Sequence, residues 1–81
     1  VSASIFGARY TVHIDPPAHP ANGVQYIGWA QPNTKTSEDD WSIARLTWVS
    51  DNLSLVEWGG VVTPTNRFDN IWDNRAALVY G

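Results

Sequence analysis

His13, Asp15 and His19 are the residues whose types could do chemistry together in this chain. Two imidazoles and a carboxylate form a donor set suited to a divalent metal or to acid–base work. Their setting argues against that use. His13 and Asp15 share one side of a strand about to end, and His19 sits in the proline-rich stretch "DPPAHPANG", where spacing fixes no geometry. Exposed loop polar residues are the expectation. "SEDD", Ser37 to Asp40, lacks the alternating acids and glycine turn of a calcium loop and reads as a solvated tip. Asp69 and Asp73 lie one helical turn apart instead of facing each other across a cleft, as paired glycosidase acids do. No Ser–His–Asp or Cys–His set can be drawn, and Gly59-Gly60 is an isolated pair, not a phosphate cradle. The expectation is a protein that is not an enzyme and uses no cofactor.

Binding is the other route to function, and here the tryptophans matter. Five of them in 81 residues is a heavy load for one small core, since each can bury about 150–250 Å². A single domain spanning 1–81 is expected, and a domain of this size hides only about 60% of its unfolded surface. Without cysteine it has no disulfide to make up the difference. Trp29, Trp48 and Trp58 are read as core, as a protein interface, or as a sugar-stacking platform; Ile5, Phe6 and Leu55 join them as candidate contact residues. Ile5 and Phe6 lie in a small, uncharged opening (1–8) that either frays or pairs with a neighbour's sheet edge.

Charge narrows the partners. The net charge is −3, and the five basic residues are dispersed, so nucleic acid is not an expected partner. No apolar run reaches the ~20 residues of a membrane-spanning helix, and no leader pattern is read, so no membrane partner is expected. A chain that starts at Val1 and lacks Met fits cytoplasmic synthesis with a trimmed initiator.

The elements that position these residues are mostly strands. From Ala3 to Ile14 the period is two, with Phe6, Ala8, Tyr10, Val12 and Ile14 expected inward and Arg9, Thr11 and His13 outward. "VQYIGWA", Val24 to Ala30, is a second strand in which Gly28 marks a bulge or a close packing contact. Trp41–Val49 and Leu53–Trp58 form a hairpin. With Asp51-Asn52 as its turn, Trp48 faces Leu55, Thr47 faces Val56, and Arg45 meets Trp58 as a cation–π pair. Both hairpin faces are then apolar, so either both are covered within the fold or another subunit covers one. "GGVVTPTNR" reads as a loop. Phe68, Ile71 and Trp72 fall on one side of a helix, with acids and amides opposite. This predicts one or two helical turns over Phe68–Asp73, capped by Asn66, stopped by Asn74, and docked on the sheet. Arg75 is expected to anchor their end, and "AALVY" closes the sheet. The fold class is mainly β: a small antiparallel sandwich or barrel-like sheet of four to six strands with one short helical turn.

"YIGWAQPNTKTSEDDWSIARLTW" and "FDNIWDNRAALVYG" together resemble small β-rich structural proteins of tailed bacteriophages. The likeness rests on Tyr26, Gly28, Trp41, Ile43, Arg45, Phe68, Ile71, Trp72, Arg75 and Tyr80, and covers Tyr26 to Tyr80. The resemblance implies a virion component: a capsid decoration or cement, neck, tail or fibre-associated module, made in the host cytoplasm. It also implies partners among other virion proteins and a packing role for the motif; the apolar surplus on both hairpin faces adds, on its own grounds, an expected self-association into a homo-oligomer. The alternative is a carbohydrate-binding, receptor-binding β module that uses coplanar tryptophans on a host glycan.

Overall fold

A computed structural model describes residues 10–64 and 67–81. Five strands run in chain order as one antiparallel meander: β1 (Thr11–Asp15), β2 (Gly23–Ala30), β3 (Ser42–Val49), β4 (Asn52–Gly60) and β5 (Val79–Tyr80). The expected mainly β, antiparallel fold is the fold observed, as a single sheet. One 3-10 helix, Trp72–Ala77, lies between β4 and β5. The thinnest dimension is only 17 Å, which suits one sheet with one covering layer.

Each connection follows from its residues. Asn22-Gly23 ends the proline-rich loop, with Gly23 at φ 138°, a backbone conformation only glycine takes without strain. The β3–β4 turn is Ser50-Asp51, not Asp51-Asn52. Both residues have positive φ (50° and 64°), as a primed two-residue hairpin turn requires. The first β-loop clamps this turn: the Ser50 amide donates to Asn22 Oδ1 (3.0 Å) and the Asp51 amide to the Ala21 carbonyl (2.9 Å).

That turn changes the hairpin register. Val49 pairs with Asn52 and Trp48 with Leu53. A bulge at Thr47/Trp48 then leaves Ser54 unpaired and sets Thr47 against Leu55, Leu46 against Val56, Arg45 against Glu57 and Ala44 against Trp58. Trp58 therefore does not meet Arg45. It stands on the opposite face, because a one-residue slip in a strand reverses every side chain.

The helical segment also departs from expectation. Asn70 forms a two-way backbone bridge to Trp41, with N···O distances of 2.9 and 3.0 Å. A residue held in a ladder cannot be helical, so the helix begins after it, at Trp72 instead of Phe68. Asn74 lies inside the helix and donates its amide to the Ile71 carbonyl (3.0 Å). Asn66, the expected cap, lies outside the described residues, and Ala76 and Ala77 belong to the helix, leaving β5 two residues.

The core sits between the sheet and this helix. Trp41, Ile43 and Ala30 are fully buried and Trp72 nearly so, with Tyr26, Leu78 and Tyr80 packed around them. Gly28 makes the helix fit. A Cβ there would lie 2.5 Å from Trp72 Cε3 and 3.1 Å from Trp41 Cε3, so the expected close contact is an indole laid on bare backbone. Gly28→Ala should cost about 1–3 kcal/mol by overpacking, read as a lower urea midpoint. An unchanged midpoint would mean that the ring does not rest there.

Candidate functional site

Strand pairing assigns the paired sheet side chains to two faces. Thr11, His13 and Asp15 lie across from Ala30, Gly28 and Tyr26, which lie across from Ile43 and Arg45 on β3. Arg45 in turn faces Glu57, and Tyr80 on β5 faces Gly59. This face carries the 3-10 helix. The other face runs through Val12 and Trp29, through Ile14, Ile27, Ala44 and Trp58, through Gln25, Leu46 and Val56, and through Trp48 and Leu53. No described element lies over it. Val12, Ile14 and Val56 are 47%, 44% and 50% exposed.

The distribution of charge runs against expectation. Every Asp, Glu, Lys, Arg and His within the five strands (His13, Asp15, Arg45 and Glu57) lies on the helix-covered face. The open face holds none. An antiparallel sheet with one wet side normally turns its polar residues to that side. Here β1 turns Val12 and Ile14 outward and packs His13 against Trp41 (ring centroids 4.9 Å) and Trp72 (5.7 Å), the reverse of the period-two expectation.

Two indoles shape the open face. Trp29 and Trp58 lean together from β2 and β4, centroids 5.7 Å apart and planes at 41°. Between them β3 offers only Ser42 and Ala44, both buried, so the pair forms a ridge over a low strand. Trp48 is differently employed. His19 stacks on it at 3.9 Å, its Nε1–H donates to Gln25 Oε1 (3.2 Å), and Gln25 Nε2 donates to the Pro16 carbonyl (2.8 Å). Gln25 and Ser42 are thus turned inward, and away from the His19 ring at the Trp48 end the face offers mainly hydrocarbon and indole.

The covered face satisfies its charges internally. Arg75 reaches back from the helix to Asp15 (2.6 Å), lies over the Trp72 ring (4.6 Å) and donates to the Trp72 carbonyl (3.1 Å). Arg45 pairs with Glu57 (2.8 Å) and lies over Tyr80 (4.5 Å), not over Trp58. Tyr80 donates its hydroxyl to the Arg75 carbonyl (2.6 Å). Burial, aided by Tyr26, pushes the Tyr80 phenol well above its ordinary value, against the opposing pull of Arg45 and Arg75. The unfolded chain releases this proton first, at about pH 10. Stability held below that pH is therefore lost progressively as pH rises beyond it. Tyr80→Phe should remove much of this alkaline loss while costing about 1 kcal/mol at neutral pH for the missing hydrogen bond. Urea midpoints at pH 7 and above pH 10 check it; an equally steep alkaline loss in the variant would contradict it.

The sequence candidates separate accordingly. Trp29, Trp48 and Trp58 come together on the open face. Leu55, grouped with them, points to the other face opposite Thr47, half exposed beyond the reach of the helix. Ile5 and Phe6 lie outside the described residues. Trp41, Ile43, Arg45, Ile71, Trp72, Arg75 and Tyr80 gather on the covered side, whereas Phe68 is 45% exposed and stacks on Tyr10 (5.7 Å), itself exposed. His13 and His19 sit on opposite faces, and Asp15 is held by Arg75, so this trio does not converge; no other group of three potential ligands is found among the described residues. Glu38 of the acidic loop accepts the Lys35 amide (2.8 Å), and Trp41 Nε1–H anchors the same loop at the Lys35 carbonyl (2.9 Å). A hollow of about 490 Å³ beside Val61–Pro64 is lined by Arg67 and Asp69 but not by Asp73. Sequence reasoning missed Val56, Leu46 and Ile27 as members of the open face; for Val56 the signal was a hairpin register that hinged on which residues make the turn.

No protein-family model, curated protein or solved structure matches this chain.

Proposed function

We propose that this chain is a non-enzymatic structural module that works by laying its open sheet face against protein, and that its setting is the virion of a tailed bacteriophage. The observation that carries the docking role is the inverted charge distribution. The strands place their ionisable residues under the helix, where Arg75 and Glu57 neutralise Asp15 and Arg45, and leave the uncovered side without any. A large uncharged apolar patch on a small domain marks an interaction surface. The virion setting rests on the resemblance carried by Trp41, Ile43, Phe68, Trp72 and Arg75. A glycan platform gains less support: Trp29 and Trp58 are tilted at 41° and do not form a plane, and His19 already covers a face of Trp48.

Density-gradient purification of the particles of the phage encoding it is the test. The chain is expected to co-sediment with intact particles, and Val56→Lys, which charges the open face at an exposed position, is expected to stay in the soluble fraction. Recovery of the parent protein solely in the soluble fraction would refute the virion assignment.

A further inference from the structure

Resting on that reading of the open face, we infer that its occupant is a second copy of this chain, packed face to face as a two-sheet sandwich about a twofold axis. Three observations favour it.

The first is chemical. With no Asp, Glu, Lys, Arg or His contributed by the strands to this face, and His19 confined to its Trp48 end, a partner must present a largely apolar surface of similar extent, and the same face of another copy is such a surface. A twofold contact sets a patch against itself, so a patch free of charge meets no like-charge repulsion there, even though each copy carries −3 overall.

The second is size. β2, β3 and β4, of eight and nine residues, are about 27 Å long, and the five-residue β1 adds about 17 Å; at about 4.8 Å per strand they give about 470 Å² of projected area per copy. Two such faces bury about 1,000 Å² or more once side-chain relief is included, which reaches the lower bound for a specific interface.

The third is relief. The Trp29–Trp58 ridge stands above Ser42 and Ala44, beside the lower row of Leu46 and Val56. Side by side about the axis, each copy's ridge can lie over the other's low row, at the ~10 Å spacing of packed sheets.

Sedimentation equilibrium of the parent protein, Val56→Lys and Val62→Lys, combined with binding of an apolar-surface dye, tests the inference. Val62 is 83% exposed in the loop after β4 and off the open face. The expected result is a dimer in the parent and in Val62→Lys, and a dimer weakened about 100-fold or more in Val56→Lys, because two uncompensated ammonium groups would enter one interface. Folding of each variant is verified by its circular dichroism. A dimer that Val56→Lys leaves intact would overturn the inference. So would a parent protein that stays monomeric at every concentration, and the dye then separates two cases. A monomer that binds dye in a manner abolished by Val56→Lys leaves the docking face standing with a different partner. A monomer that binds none has its face covered by its own chain, and the docking proposal fails as well.

Discussion

Trp72→Ala is expected to unfold most of the population under conditions where the parent is folded. The indole is 5% exposed, meets Trp41 and His13, supports the Arg75 guanidinium, and rests on Gly28. No smaller side chain can fill the gap between a 3-10 helix and bare strand backbone. Truncation of a buried tryptophan costs about 3–5 kcal/mol, against a total stability of about 5 kcal/mol or little more for so small a domain. Arg75 also loses its ring while its tether to Asp15 stays half solvated, so the helix has nothing else of comparable strength. Loss of the near-ultraviolet dichroism and a collapse of the urea midpoint are the readouts. A variant melting within a few degrees of the parent would show that the helix is not what covers the core.

Asn70→Asp is the second large effect, and it comes from a change of one atom. Asn70 is 1% exposed; its Nδ2 donates to the Gly59 carbonyl (3.1 Å), and its Oδ1 has no hydrogen-bond partner among the described residues. The substitution removes that donor and places a carboxylate where nothing pairs with it. Leaving a buried charge uncompensated costs about 3–5 kcal/mol. Burial raises the introduced carboxyl's folded pKa above its unfolded value of about 3.9. The unfolded chain therefore gives up this proton first as pH rises, and stability falls between the two values. Below that window the neutral acid can donate to the Gly59 carbonyl as the amide did. The variant should thus be closer to the parent at pH 4 than at pH 7, opposite to ordinary acid denaturation. Equal urea midpoints for variant and parent at pH 7 would refute the account.

The sequence showed some of this plainly. Proline clusters and Asn22-Gly23 place the first loop, alternation in "TVHID" and "SIARLTWV" marks strands, and Gly28 signals the close approach that Trp72 makes. What period-two alternation cannot tell is which side of the sheet is covered. Val12 and Ile14 look like inward residues, and only the position of the 3-10 helix decides that His13 and Asp15 are the covered ones. The Trp58 assignment failed for a sharper reason: Ser50-Asp51 and Asp51-Asn52 are both acceptable turns, and choosing between them moves Trp58 from Arg45 to Ala44. The clamp from Ala21 and Asn22 that makes the choice is a long-range contact, invisible to local pattern. Likewise, "FDNIWDNR" has a fair helical period, but the bridge between Asn70 and Trp41 overrides it.

If the open face is the contact surface proposed, its lack of strand charges would also govern how fast and under what conditions copies associate. Electrostatic steering raises encounter rates only where complementary fields meet, and a face without ions offers none. Association should then proceed at the unassisted ~10⁵–10⁶ M⁻¹s⁻¹. Added salt should not slow it, since screening weakens only the repulsion between acidic bodies. The strength of the complex should grow on modest warming as apolar hydration is released. Local abundance of the chain, not the ionic composition around it, would set the moment at which it builds.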